Sequence, residues 1–166
     1  MKTKQIPFPA DSLAAKYLPA DYSDAFECAC PLPLTVTPED ILQGFNTLTP
    51  GWVEALMKIR NTMVRPFGLK YGNGKEANRS VLGQVTDRSE NETVSSMDDK
   101  HLLFYVSVRL VRETPETARV TMGTIVHLHN RLGKVYFTVI RPFHKIIVQS
   151  SLKQVLHKLQ KSGLRP

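Results

Sequence analysis

The sequence predicts an α+β domain in which a curved antiparallel sheet carries a long carboxy-terminal helix across its concave face. Three observations predict it. From Leu102 the even positions read Leu102, Phe104, Val106, Val108 and Leu110. After a turn at Thr114-Pro115-Glu116 they read Ala118, Val120, Met122, Thr124, Val126 and Leu128. Alternation with period two over about ten residues in each segment marks an antiparallel hairpin with one dry face. Lastly, Leu132 to Leu159 sets apolar residues three and four apart, which gives a helix with a matching apolar stripe and enough length to cover that face.

The remaining elements follow in chain order. Residues 1–19 are interrupted by Pro7 and Pro9 and are expected to form an irregular segment over the surface, with a short helical turn from Ser12 to Tyr17. Tyr22 to Cys30 reads as the first strand, closed by Pro31 and Pro33. Thr37-Pro38-Glu39-Asp40 then starts a helix that runs to about Thr47: threonine caps, proline suits the first helical position, and acids favour the first turn. Thr49-Pro50 repeats the device and opens a longer helix to about Arg65, with Trp52, Leu56, Ile59, Met63 and Phe67 on one stripe and Pro66 and Gly68 as the stop. Leu69 to Arg79 is a polar connector, and Tyr71-Gly72-Asn73-Gly74 is turn chemistry rather than a phosphate loop. Strands are expected at Val81 to Arg88 and Glu92 to Asp98, ahead of the long hairpin. Strands joined mostly by short turns must be antiparallel, because parallel neighbours need long crossovers. A sheet gripping a carboxy-terminal helix in this order is the helix-grip (START-like) arrangement, and a single domain accounts for residues 1–166.

Composition narrows the function. Lysine and arginine number 22 against 15 acids, giving a net charge of +7 and a pI near 9.5. The cations are dispersed (Arg131, Lys134, Arg141, Lys145 and onwards), without a basic run, a zinc-finger spacing or an aromatic RNA-binding signature, so no nucleic-acid partner is expected. No apolar run approaches the ~20 residues of a membrane span. Pro7, Pro9 and Asp11 break any secretory core, which places the protein in the cytoplasm and makes the sequons at Asn78 and Asn91 chance matches. The two cysteines, Cys28 and Cys30, share one side of a strand and read as buried thiols.

Two stretches resemble a known family. Pro50-Gly51-Trp52-Val53, continuing through Leu56 and Ile59-Arg60-Asn61 to Arg65-Pro66-Phe67-Gly68-Leu69, is similar to the central helix motif of the bacterial family catalogued as domain of unknown function 2867. His129-Asn130-Arg131-Leu132-Gly133, Tyr136-Phe137 and Pro142-Phe143-His144 are similar to it as well. The resemblance runs from about Ala20 to Leu159. It implies kinship with the Bet v 1, START and polyketide-cyclase superfamily, hence a helix-grip fold and an interior cavity for an apolar molecule. It implies no particular reaction.

The leading functional expectation is a cavity between sheet and last helix that binds a small, largely apolar or amphipathic molecule without a cofactor or metal. Trp52, Leu56 and Met63 would line it from the central helix, with Arg60 anchoring a polar end. Phe104, Val106 and Met122 would line it from the sheet, and Tyr136, Ile140 and His144 from the last helix. Trp52, Phe67, Phe104, Tyr136, Phe137 and Phe143 are expected to converge inside. Pro142 should bend the helix beside His144, so that its imidazole either enters the cavity or hydrogen-bonds across to the sheet and fixes the bent helix. A second expectation makes the same cavity a cyclase, dehydratase or isomerase site, with His144 and Tyr136 or Arg60 transferring protons. No nucleophile elbow, zinc-binding helix or dinucleotide fingerprint accompanies it. A third is an interaction module or homodimer built on Leu103, Tyr105 and Ile125, which lie on the otherwise polar face of the hairpin. His127 and His129 alternate on that face too and are expected to be an exposed pair rather than metal ligands.

Overall fold

The two alternating segments pair over their whole length. Strand β5 (Leu102–Arg112) lies antiparallel to β6 (Thr117–Leu128), with Leu102 opposite Leu128 and Arg112 opposite Ala118. The turn between them closes on Thr114, whose hydroxyl oxygen accepts from the amides of Glu116 and Thr117. This is a computed structural model, and it describes residues 1–47, 82–98 and 101–162. The predicted helix from Pro50 to Arg65 and the connector after it lie outside the described residues.

Around the hairpin are β1 (Thr3–Ile6), a 3₁₀ helix (Leu13–Tyr17), β2 (Tyr22–Pro31), α1 (Pro38–Thr47), β3 (Gln84–Arg88), β4 (Glu92–Asp98) and α2 (Arg131–Ser162). The strands form one curved, unclosed sheet in the order β1-β2-β6-β5-β4-β3, and every neighbouring pair is antiparallel. The fold is therefore α+β, with α2 over one face of the sheet in a helix-grip-like arrangement.

The helices start where the residues demand. Thr37 Oγ1 accepts from the amide of Asp40, and Asp40 Oδ2 accepts from the amide of Thr37, a reciprocal cap on α1. Asn130 Oδ1 accepts from the amide of Gly133 at 2.8 Å and caps α2. Beneath the carboxy-terminal half of α2, Val148, Leu152, Val155 and Leu156 meet Phe26 and Cys28 of β2, Val106 and Val108 of β5, Val120 and Met122 of β6, and Ile41 of α1. The helices approach closely there: a Cβ on Gly44 of α1 would sit 2.5 Å from Val155 Cγ1.

Three expectations are corrected. The amino-terminal segment is not irregular throughout, because Thr3–Ile6 pairs with Ala25 to Cys28 and extends the sheet by one strand. The open edge of β2 supplies backbone partners that a four-residue segment can satisfy whatever its side chains.

The middle of the hairpin's odd face is not solvent-facing either, although Val111 and Arg119 at its far end are exposed. Ile125 and Val94 are fully buried beneath Phe8, Leu13, Ala14 and Tyr17, and the Tyr17 and Tyr105 rings stack 3.8 Å apart. The surface proposed around Tyr105 and Ile125 is thus covered by the chain's own strap. Glu92, itself buried, fastens that strap: it accepts from Ser12 Oγ and Ser107 Oγ at 2.5 Å each and from the Leu13 amide at 2.9 Å. Arg109 grips Asp11 with both terminal nitrogens, and Lys16 and Tyr17 both hold Asp87. These partners, Arg109 for Asp11 and first Lys16 for Asp87, hold both carboxyls below the usual aspartate range.

Phe143 does not converge inside; it is 45% exposed. One residue along a helix is about 100° of rotation, so with His144 turned to the sheet its predecessor faces away.

Candidate functional site

Strand β2 presents Tyr22, Asp24, Phe26, Cys28 and Cys30 to the helix side of the sheet, and Asp24 is the one acid in that row. Its side chain has no solvent exposure. Tyr22 donates its hydroxyl to Asp24 Oδ2 at 2.5 Å. His144 Nε2 lies 3.4 Å from Oδ2 and 3.5 Å from Oδ1 of the same carboxylate. From α2, Phe137 packs against the Tyr22 ring at 4.9 Å, Arg141 places its guanidinium 5.1 Å from the ring centre, and His144 meets the ring edge-on. These three side chains are spaced four and three apart, so one helix face delivers them together. Burial first, then the hydrogen bond to Asp24, pushes the Tyr22 phenol well above its ordinary pKa, so it remains a proton donor.

The register extends this cluster across the sheet. Asp24 is opposite Thr124, Thr124 is opposite Val106, and Val106 is opposite Ser95. Thr124 and Ser95 are 4% and 0% exposed, and their hydroxyls have no hydrogen-bond partner. The row on one side is Tyr22, Val126, Phe104 and Met97; on the other it is Phe26, Met122, Val108 and Thr93. A polar line thus crosses a largely apolar interior beneath α2.

Beside it, a cleft of about 290 Å³ opens at the amino-terminal part of α2, lined by Asp21, Tyr22, Leu128, Lys134, Phe137, Thr138 and Arg141. Tyr22 belongs both to the wall of this cleft and to the Asp24 cluster. A second cleft of about 400 Å³ lies on the opposite face, among Glu27, Arg109, Glu113 and Arg119. Its charges already neutralise one another: Glu27 pairs with Lys4, Arg109 with Asp11, and Arg119 with Glu113.

Of the residues predicted to line a site, His144 reaches Asp24. Phe104 is half-buried between the two apolar clusters on the helix side, and Val106 and Met122 are packed into the core. Tyr136 and Ile140 are half-buried on α2. Trp52, Leu56, Arg60 and Met63 lie outside the described residues. Sequence reasoning missed Tyr22, Asp24, Thr124 and Ser95 as polar site residues. One signal was present: an acid at an even position of an otherwise apolar alternation.

His127 and His129 go to separate partners, Nε2 of His127 to the Tyr17 carbonyl at 3.0 Å and Nε2 of His129 to Asp98 Oδ1 at 2.7 Å. No cluster of ligands suited to a metal ion occurs among the described residues. Cys28 and Cys30 are buried free thiols, and burial pushes both up, Cys30 to about 11 with help from its neighbour Cys28. Among the described residues no helix is long and apolar enough to cross a membrane.

The fold and this interior define an α+β sheet-and-helix domain with a buried carboxylate–imidazole–phenol cluster. Residues 17–151 match the family described as protein of unknown function (DUF2867), and the chain belongs to that family. No curated protein matches it. Among solved structures, a conserved protein from Geobacillus kaustophilus aligns at 7% identity over 85% of this chain and 97% of its own, with a TM-score of 0.37. TTHA0849 from Thermus thermophilus aligns at 13% identity over 87% of this chain and 100% of its own, with a TM-score of 0.35. At these scores neither likeness bears on function.

Proposed function

We propose that the protein binds a small, largely apolar molecule between the sheet and α2, with the molecule's polar end on the line formed by Asp24, Thr124 and Ser95. One observation carries the proposal: two hydroxyls on that line are buried without partners. An unsatisfied buried hydroxyl costs about 1–3 kcal/mol, so a bound molecule that offers a separate hydrogen-bonding group to each, two strands apart, would be stabilised by what the free protein lacks. Phe104, in the neighbouring row of the sheet, supplies apolar surface next to it; Ile140 and Tyr136, half-buried on α2, are assigned to the site with it, and the cleft at Tyr22 gives a route in. Trp52, Leu56, Met63 and the anchoring Arg60 stay in the proposed site on sequence grounds alone. Two free buried thiols fit a cytoplasmic setting.

The test is Thr124→Val, which keeps the shape and removes the hydroxyl. Native mass spectrometry of the wild type is expected to show a carried-over small molecule, with occupancy lowered about tenfold in the variant. The unliganded variant is expected to be as stable as the wild type or about 1 kcal/mol more so. A wild type without any bound molecule, together with a destabilised Thr124→Val, would remove the proposal.

The contact of His144 with Asp24 favours a second reading, acid–base catalysis in the same interior. A carboxylate on Nε2 orients the ring and leaves Nδ1 for a substrate. His144→Gln separates the two readings: catalysis requires turnover to vanish while the ligand still binds.

A further inference from the structure

Helix α2 has seven lysines and arginines and no aspartate or glutamate in its 32 residues. Its first half also exposes an apolar crest. Val135, Val139, Phe143 and Ile146 are 58%, 41%, 45% and 57% exposed. Steps of four, four and three keep them in one line along the helix, while Phe137, Val148 and Leu152 face the sheet. The crest runs about 16 Å at ~1.5 Å per residue. Arg131 at its start and Lys153, two turns beyond Ile146, lie nearest its line, both exposed, whereas Lys134, Arg141 and Lys145 lie further round towards the sheet, Arg141 over the Tyr22 ring and Lys145 on Gln5.

We propose that this crest docks α2, lying in the plane of the surface, onto a membrane rich in anionic phospholipid. The order of chemistry across the helix matches the depth profile of such a surface: aliphatic and phenyl groups enter the acyl boundary, and the bordering cations meet phosphates. The charge also argues against a second copy as occupant. Two crests packed in a symmetric pair would set one acid-free, cationic helix against another, and like charges oppose that contact. An acidic protein would satisfy the cations, but it would need to cradle a convex ridge, whereas lipid closes around a ridge without a preformed groove. This docking does not depend on the interior site.

The experiment is co-sedimentation of the full chain with vesicles of phosphatidylcholine alone and of phosphatidylcholine mixed with phosphatidylglycerol. Binding is expected to the mixed vesicles, to be at least about tenfold weaker on phosphatidylcholine, and to fall with salt. Phe143→Ser combined with Ile146→Ser, and separately Arg131→Glu combined with Lys153→Glu, are each expected to weaken binding about tenfold. All of these positions lie outside the buried core, so circular dichroism and thermal unfolding should match the wild type. Absence of binding to the mixed vesicles, equal binding to both compositions, or variants that bind like the wild type would each overturn the proposal. A dimer that light scattering detects, and that the crest substitutions abolish without any effect on vesicles, would give the crest to a second copy instead.

Discussion

Leu152→Ala is expected to lower the unfolding free energy by about 2–5 kcal/mol. Leu152 is fully buried where α2 meets α1, β2, β5 and β6 at once, among Phe26, Ile41, Val108 and Val120. Truncation removes its transfer energy and leaves a cavity. The surroundings have little room to collapse into it, because the two helices are already in close contact through Gly44 and Val155. Leu152→Met conserves volume and should cost under about 1.5 kcal/mol. Urea unfolding of the three proteins measures both values. A loss below about 1 kcal/mol for the alanine variant would mean that the helix is not seated on this core.

Glu92→Ala should be similarly severe, at about 3 kcal/mol or more, for a different reason. The carboxylate gathers Ser12, Ser107 and the Leu13 amide on the face opposite α2. Removing it leaves these donors buried and unpaired and frees the strap that covers Ile125 and Val94. The expected signs are loss of stability, protease cleavage before residue 18, and dye binding to newly bared apolar surface. Glu92→Gln should fall between: it keeps one acceptor oxygen but turns an amide NH₂ towards a donor. Wild-type resistance to protease in Glu92→Ala would show that stacking of Tyr17 on Tyr105 holds the strap unaided.

Much of this fold is legible in the sequence. The hairpin and α2 announce themselves because side-chain period alone decides which residues face the core. The cap at Thr37 and Asp40 is legible because its chemistry is local. Thr3–Ile6 is not, since its pairing is decided by the free edge of β2, some twenty residues away. The second buried face is hidden for a related reason. Arg109, Arg119 and Thr121 mark the odd positions as polar, and only the return of Phe8, Leu13 and Tyr17 over Ile125 makes the middle of that face dry. The reach of His144 to the sheet is one of the two placements expected of it. The alternation of β2 shows that Asp24 faces inward, but only the register with β6 and β5 shows that it heads a line of hydroxyls.

The strand order also bears on how the chain assembles. Strands β3 to β6 meet their neighbours through nearby sequence, whereas β2 pairs with β6 across roughly a hundred residues, Tyr22 against Val126. Closing so long a loop forfeits chain freedom before any contact compensates, so the amino-terminal third locks late, onto a meander already formed. Pulsed hydrogen exchange during refolding should protect the amides of β5 before those of β2, and the interior containing Asp24 would be the last part of the molecule to exist.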